Sequence, residues 1–203
     1  MSTTGPADAR APKRQRGRLR VAAILAAGAE VFREKGYDAA TMTEIGARSK
    51  TAIGSLYRFF PSKEALADAL LAQFVERSLA GLESLKNLAT NLSVPGLTDE
   101  LVDFSLRLQN ERAFALALVD ARSDGDDKRG RFRAALRQGV AAILRKTLRG
   151  LSEERAAVMA VLVLHVLKGL SLEMGSDADR EREVRLMLRR YLAGIEEDLA
   201  RGR

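Results

Sequence analysis

The sequence contains no cysteine and no tryptophan, and it has a single histidine among 203 residues. The lack of cysteine excludes disulfide bonds, a thiol nucleophile and zinc fingers, and it fits a reducing cytoplasm. With one histidine, a serine–histidine–aspartate arrangement has no support beyond chance, and no phosphate-binding loop or cluster of metal ligands is present. We therefore expect no enzyme, no cofactor and no bound metal, although carboxylate catalysis stays open.

Long apolar runs are also scarce. Residues 21–29 follow several arginines and imitate a signal peptide, but the run is rich in alanine. Its helical face continues through Val31 and Phe32, beyond any cleavage point, so we interpret it as the first helix of a domain. Residues 156–172 are apolar almost all round, yet they are too short and too often interrupted to span a membrane. We expect a cytoplasmic protein.

Positive charge is present in excess, and it is unevenly distributed. The net charge is +7; residues 1–63 hold 12 Lys or Arg against 5 Asp or Glu, whereas residues 64–203 hold 22 of each. The whole excess therefore lies in the first third of the chain. A solvated basic tail is one interpretation. An electrostatic footprint for nucleic acid is the better one, because the remainder is balanced.

A helix-turn-helix pattern lies within this basic region. Thr41 and Glu44 have the spacing of a capping box, which predicts that a helix begins near Met42. Residues 49–51 interrupt the apolar pattern, and residues 52–60 resume helical spacing until Pro61 ends it. Two short helices joined by a three-residue turn are typical of a unit whose second helix enters the major groove of DNA.

The same region resembles the TetR-like transcriptional regulators. The matching submotifs, in family order and spacing, are FREKGY at residues 32–37, T-x-x-x-I at 41–45, G-x-L-Y-x-x-F at 54–60 and S-K-E-x-L at 62–66. The resemblance covers Arg20 to about Ala72, and the rest of the chain is similar only in its helix layout. The turn departs from the family pattern, because Lys50 replaces a glycine, Ala52 replaces a capping serine and Phe59 replaces a histidine. Thr51 could serve as the cap instead.

The resemblance implies an all-α fold: an N-terminal three-helix helix-turn-helix DNA-binding domain joined by a long helix to a C-terminal helical ligand-binding and dimerisation domain. We expect a disordered basic arm over residues 1–18, the DNA-binding domain over 19–64 and the effector-binding and dimerisation domain over 65–203. Pro6, Pro12 and the absence of apolar periodicity favour the disordered arm. The implied partners are a palindromic operator in double-stranded DNA and a second copy of the chain.

The resemblance also implies which residues contact DNA. Ile53, Gly54, Ser55 and Arg58 would face the bases, with Ala52 and Phe59 on the same surface, while Thr41, Thr43, Tyr57 and Lys63 would hold phosphates. The arm residues Lys13, Arg14, Arg16 and Arg18 would neutralise phosphates or sense the minor groove. A solvated tail without DNA contact is equally compatible with the arm. Ile53 and Tyr57 would also fit a core stripe, and Leu56 and Phe60 are predicted core.

The C-terminal two thirds read as a series of helices. A long helix is predicted over residues 62–88, a break over 91–96, and a helix capped by Thr98 that could be broken near Asn110. Further helices are predicted from about residue 131 to 148, from Ser152 onward, and along the last twenty or so residues.

An effector site and a dimer interface are the functions that the resemblance implies for these helices. The candidate effector-binding residues are Phe104, Leu108, Phe114, Leu118, Arg122, Met159, His165, Lys168 and Met174, each of which could instead be plain core. The candidate dimer interface is Val163, Val166, Leu170, Val184, Leu188, Tyr191, Ile195 and Leu199, for which burial within one chain is the alternative. The function expected is a repressor released by an apolar or amphipathic ligand; a ligand-independent DNA-binding or architectural regulator is the alternative.

Overall fold

The structure, a computed structural model, describes residues 10–121, 125–170 and 178–202. Over these residues it is all-α, as expected. The helices are α1 (Arg10–Ala39), α2 (Met42–Arg48), α3 (Ile53–Phe59), α4 (Lys63–Leu88), α5 (Val94–Asp120), α6 (Gly125–Thr147), α7 (Glu153–Gly169) and α8 (Ala178–Ala200), with a 3₁₀ turn at Ala89–Asn91. Within the described residues, every helix is too short or too polar to cross a membrane.

The helices divide into two compact units. The first reaches Gln73, and the second comprises Phe74–Val119 and the residues after the connection between α5 and α6. The division therefore falls inside α4, whereas the sequence placed a domain boundary after residue 64.

The first helix differs from the expectation of a disordered arm. It begins at Arg10, so residues 10–18 are helical; residues 1–9 and the side chain of Lys13 lie outside the described part of the chain. Pro12 is tolerated because it occupies the first turn, where its missing N–H would have no helical partner. Most of the residues that follow it are arginine, glutamine and leucine, which are good helix formers.

The first unit is built from α1, α2, α3 and the start of α4. Its fully buried side chains are Ile24, Val31, Ile45, Leu56 and Leu66. Gly28 permits the close approach of α1 to α4, because a Cβ at this position would lie 2.8 Å from Leu66 Cδ2. This packing fixes α2 and α3 against the long helix.

The second unit buries one continuous apolar cluster drawn from α4 to α8. Its members include Leu82, Leu85, Leu97, Leu101, Val140, Ile143, Leu144, Met159, Val163, Leu188 and Leu192. The predicted cap at Thr98 is wrong, because α5 already begins at Val94 and the Thr98 hydroxyl donates to the Val94 carbonyl at 3.0 Å inside the helix. Helix α5 also continues unbroken through Asn110. Ser152 caps α7 as predicted, accepting from the Arg155 amide at 3.2 Å.

Candidate nucleic-acid interface

Helix α2 begins with the predicted capping box. The Thr41 hydroxyl oxygen accepts from the Glu44 amide at 3.3 Å, and the Glu44 carboxylate accepts from the Thr41 amide at 3.1 Å. The Thr41 hydroxyl also donates to Glu44 at 2.9 Å. Thr41 therefore organises the helix start, while Thr43, two residues further along, is exposed.

The turn between α2 and α3 contains a left-handed residue at Lys50, the position where the resembling family has a glycine. Lys50 has φ of 52°, the left-handed region that glycine adopts without strain. The expectation that Thr51 would cap α3 is wrong, because Ala52 is the N-cap residue and no side chain caps the helix. The Thr51 hydroxyl instead donates to the Ser49 carbonyl at 3.3 Å, inside the turn.

Helix α3 separates its core residues from its outward residues. Leu56 is fully buried and Phe60, just after the helix, is 7% exposed, whereas Ile53 is 45% and Tyr57 is 48% exposed. Ile53 and Tyr57 therefore do not belong to the core stripe. Gly54, Arg58 and the N-cap Ala52 are exposed as well, and a Cβ at Gly54 would have no neighbour within 4 Å. Ser55 and Phe59 are half-buried at the edges of this face.

Ion pairs within the first unit decide which of its cations can meet a polyanion. Arg48 pairs with Glu34, and Lys35 pairs with Glu44. The hydrogen bond from Arg48 lowers the pKa of Glu34, and those from Lys35 and Thr41 lower the pKa of Glu44. These carboxylates stay ionised and neutralise two cations of α1 and α2. Arg58 has no such partner in the described parts of the chain.

Lys63 has a different place from the phosphate contact expected of it. Its ammonium group donates to the carbonyls of Tyr37, Asp38 and Ala40 at 2.8, 3.0 and 3.1 Å. It also lies 4.6 Å from the centre of the Tyr37 ring. All three ammonium hydrogens are thus used at the end of α1. Lys63 holds the first turn of α4 to α1, as does the Tyr37 hydroxyl, which donates to Glu64 at 3.1 Å.

The basic residues before the core of α1 lie on a helix instead of an extended arm. Arg14, Arg16 and Arg18 are exposed, and so is Arg20. Their side chains point to several sides of the helix, because residues two apart do not share a helical face. A helix of this kind is too wide for the minor groove of B-DNA, which suits it to contacts with phosphates.

A pocket of about 380 Å³ lies between α4 and α5 in the second unit. Its apolar lining includes Leu85, Leu88, Phe104 and Leu108. Ion pairs border it: Arg77 with Glu111 at 2.8 Å and Arg107 with Glu100 at 3.8 Å. Gly81 brings the helices together here, since a Cβ would lie 2.7 Å from the Phe104 ring.

The structure brings only two of the predicted effector residues, Phe104 and Leu108, together at this pocket. Met159 and Leu118 are buried, Met159 as part of the apolar cluster. His165 and Lys168 are exposed, and Phe114 is half-buried. Arg122 and Met174 lie outside the described residues.

The predicted dimer seam lies largely inside the chain. Val163, Leu188 and Ile195 belong to the apolar cluster, with Leu170, and Val166, Val184 and Leu199 pack against it. Tyr191 alone among the predicted interface residues is exposed, at 36%. The regular spacing on α8 therefore marks packing within one chain, which was the alternative interpretation.

A different set of apolar residues on α7 and α8, outside the predicted interface apart from Tyr191, is exposed to solvent. Val158 and Leu162 on α7 are 62% and 49% exposed, and Met187 on α8 is 48% exposed, one turn before Tyr191. We call these four residues the α7–α8 apolar face. The sequence carried a signal for it, because Val158, Leu162 and His165 repeat at i, i+4 and i+7 in a helix that is apolar all round. The stronger pattern on α8 concealed it.

The comparisons with known proteins agree with this geometry. Residues 24–70 match the family described as bacterial regulatory proteins, tetR family. These residues form a TetR-family helix-turn-helix domain. The domain lies within the first unit described above, and it is of the DNA-binding kind found in bacterial transcriptional regulators.

Relatives extend the comparison beyond this domain. The HTH-type transcriptional regulator UidR of Escherichia coli K12 is 44% identical over 57 residues, which cover 28% of this chain and 29% of UidR. A TetR-family regulator from Mesorhizobium loti has a TM-score of 0.65 at 22% identity, covering 88% of this chain and 97% of that one. A TetR regulator from Legionella pneumophila has the same TM-score at 18% identity, covering 94% and 99%. The TetR fold thus spans both units, while the sequence match to UidR spans less than a third of either protein.

Proposed function

We propose that this chain is a homodimeric transcriptional repressor of the cytoplasm that binds a palindromic operator and is released by a small apolar or amphipathic effector. The observation that carries the proposal is the outward face of α3. Leu56 anchors this short helix in the core, while Ile53, Tyr57 and Arg58 extend away from it. An exposed second helix of a helix-turn-helix is the element that enters the major groove.

The side chains on α3 suit contacts with base edges. Arg58 can donate two hydrogen bonds to a guanine, and Ile53 can contact a thymine methyl group. Gly54 lets the backbone approach the bases, because its surroundings are open. Ala52, Ser55 and Phe59 border the same surface. Readout in this proposal therefore depends chiefly on one arginine and one apolar side chain.

Phosphate contacts in the proposal come from around this helix. The Tyr57 and Thr43 hydroxyls are exposed and can donate to phosphate oxygens. Lys50 extends from the turn, and Arg14, Arg16 and Arg18 come from the N-terminal part of α1. Lys63 is left out of this set because of its carbonyl partners, and Thr41 contributes mainly through the capping box.

A second copy of the chain is proposed to cover the α7–α8 apolar face. Val158, Leu162 and Met187 are each close to half exposed or more, and exposed apolar patches on soluble domains mark association sites. Two-fold pairing would present two α3 helices to the same side of DNA, about 34–36 Å apart or somewhat more. A palindromic operator follows from that symmetry.

The effector is proposed to bind in the second unit, on the inner side of α5. Phe104 and Leu108 give an apolar lining, and the charged residues Arg77 and Arg107 border the pocket. Such a combination suits a molecule with an apolar part and a polar end.

The test is binding of the purified chain to the DNA upstream of its own gene. We expect affinity that falls steeply with salt and a clear preference over unrelated DNA. Tyr57→Phe should weaken binding to all sequences alike, whereas Arg58→Ala should cost about 1–3 kcal/mol and relax the preference at one operator position. Equal affinity for upstream and unrelated DNA would refute a specific reader. Unchanged binding in both variants would refute the assignment of α3.

A further inference from the structure

One cation of the second unit differs from the others in its surroundings. Arg112 on α5 is only partly exposed, and no hydrogen bond or ion pair joins it to another residue in the described parts of the chain. Burial lowers the pKa of Arg112, and the like charge of Arg133 lowers it further. A desolvated cation without a partner costs folding free energy.

Arg185 shows how this fold pairs another arginine that is only partly exposed. Its guanidinium group contacts Asp99 at 3.1 Å, Asp103 and Glu181 at 2.5 and 2.7 Å. Burial lowers the pKa of Arg185, but the hydrogen bonds with these three carboxylates outweigh burial and raise it overall. The second unit thus surrounds Arg185 with carboxylates, whereas none of the described carboxylates pairs with Arg112. The carboxylate next in sequence, Glu111, pairs with Arg77 instead.

The position of Arg112 on α5 directs it toward the inner side of the unit. Leu101, Ser105, Leu108 and Arg112 follow one another at i, i+4, i+7 and i+11, which places them on one helical face. Leu101 is fully buried, the Ser105 hydroxyl donates to the Leu167 carbonyl at 3.3 Å, and Leu108 lines the pocket. An apolar inner stripe therefore ends in a guanidinium group.

Helix α6 brings a second cation near Arg112: Arg133 is exposed, and it is close enough for the two positive charges to repel. This residue precedes Leu136 and Val140 at i+3 and i+7, and both of those belong to or pack against the apolar cluster. Arg112 lies eight residues before the end of α5, and Arg133 lies eight residues after the start of α6. The inner stripe of α5 thus ends in Arg112, and the exposed Arg133 of α6 is the cation that lies near it.

We propose that Arg112 and Arg133 bind the anionic head group, a carboxylate or a phosphate ester, of an effector whose apolar part packs along the inner face of α5. The proposal rests on the effector-released repressor proposed above and names the class of its ligand. Two guanidinium groups can bind either anion through paired N–H donors. The anion supplies the partner that Arg112 lacks among the described residues, and its apolar part continues toward Leu108.

The first experiment measures thermal stability of the full chain with four eight-carbon probes: octanoate, octyl phosphate, octanol and octylamine. Octanoate or octyl phosphate should raise the Tm, and the neutral and cationic probes should not. The better of the two anions identifies the head group, and inorganic phosphate alone tests whether the apolar part is needed. Stabilisation by octanol equal to that by both anions, or no stabilisation by either anion, overturns the proposal.

Substitutions then locate the site. Arg112→Met and Arg133→Met should weaken binding of the preferred anion, the first by about 10–100-fold, the range that follows from losing a charge-assisted hydrogen bond. Arg112→Lys, which keeps the charge but not the paired donors, should fall between. Arg137→Met, at an exposed arginine of α6, is the matched control and should bind as the original chain does. Equal anion affinity in Arg112→Met and Arg137→Met means adventitious binding and overturns the proposal.

A measurement without any ligand separates a binding residue from a structural one. Arg112→Met should keep or raise the Tm, because it removes a desolvated charge, whereas Arg185→Met should lower it. A loss of Tm in Arg112→Met as large as that in Arg185→Met would mean that Arg112 is a structural ion-pair partner. Operator affinity, measured on the same samples, reports on the repressor proposal by itself; a chain that binds the anion through Arg112 but shows no DNA preference would refute the repressor function and leave the anion site standing.

Discussion

The two units of this chain expose opposite kinds of side chain. Residues 1–63, which make up most of the first unit, hold the whole net positive charge, and this unit exposes Arg58 and Tyr57 on a short helix. Residues 64–203 carry no net charge, and the second unit exposes the α7–α8 apolar face. DNA is a polyanion with hydrogen-bonding base edges, whereas a second protein surface can cover apolar groups. Both faces are exposed, so exposure alone does not indicate what each one binds. The charged or apolar character of the side chains does.

The units also differ in how much of their sequence is shared with known proteins. The family model matches residues 24–70, which lie within the first unit, whereas the solved structures that cover most of the chain share about a fifth of its residues. A helix pair that must contact the DNA backbone is limited in the residues it can carry. A helical body needs only buried apolar stripes, and many sequences supply those.

The largest effect should come from breaking the apolar face of the second unit. Leu162→Asp places a charge in the middle of the α7–α8 apolar face, where pairing with a second copy would desolvate it. We expect a monomer by analytical ultracentrifugation and operator affinity lower by about 100-fold or more, because a buried centre residue contributes at least about 2 kcal/mol to an interface and DNA binding loses its second half-site.

Leu116→Asp is the matched control for this substitution. Leu116 is also an exposed leucine, at 36%, but it lies on α5, outside the α7–α8 apolar face and outside the lining of the pocket. It should leave the dimer and the operator affinity unchanged. A Leu162→Asp chain that remains dimeric would show that another surface pairs the copies.

A smaller effect should come from Lys63→Met. This substitution tests whether Lys63 stabilises the first unit or contacts DNA. Loss of three hydrogen bonds to the end of α1 should lower the free energy of unfolding by about 1–3 kcal/mol. The slope of operator affinity against salt should not change, because three backbone carbonyls already occupy the Lys63 ammonium group. Urea unfolding and salt-dependent binding measure the two quantities.

Tyr57→Phe provides the opposite pattern, with stability kept and DNA affinity reduced. If Lys63→Met instead made the salt dependence shallower by about one unit of slope, Lys63 would be a phosphate contact after all.

The smallest effect should come from Lys50→Gly in the turn. A lysine at φ of 52° is strained, and relief of that strain minus the extra chain entropy of glycine should stabilise the first unit by about 0.5–1 kcal/mol. Lys50→Ala, which keeps a Cβ, should give no such gain in urea unfolding. Equal stability of the two variants would contradict the assignment of strain to this residue.

The first unit could be predicted from the sequence in most of its detail because its contacts are local. The capping box at Thr41, the left-handed position at Lys50 and the core role of Leu56 each depend on neighbours within a few residues. The partners of Lys63 could not be predicted, because its three carbonyls come from the end of α1, more than twenty residues away. Residue type indicated a phosphate contact, and tertiary structure supplied another partner.

The second unit could be predicted as helices but not as surfaces. Apolar spacing on α8 correctly marks Leu188 and Ile195 as buried, yet the same spacing describes burial in one chain and burial between two chains. Helix ends were also missed, since α5 begins before Thr98 and α6 begins before residue 131. Arg112 was overlooked because a single arginine in an amphipathic helix has no distinctive pattern; its missing partner is visible only in three dimensions.

The only histidine of the chain gives the second unit a built-in spectroscopic label. His165 lies on α7 one turn after Leu162, exposed, with its Nδ1 2.7 Å from the Val161 carbonyl oxygen. A proton NMR spectrum therefore contains the two ring C–H signals of a single imidazole, one turn from Leu162 of the α7–α8 apolar face. A shift of these signals on dilution follows association of two copies without any added dye, tag or substitution.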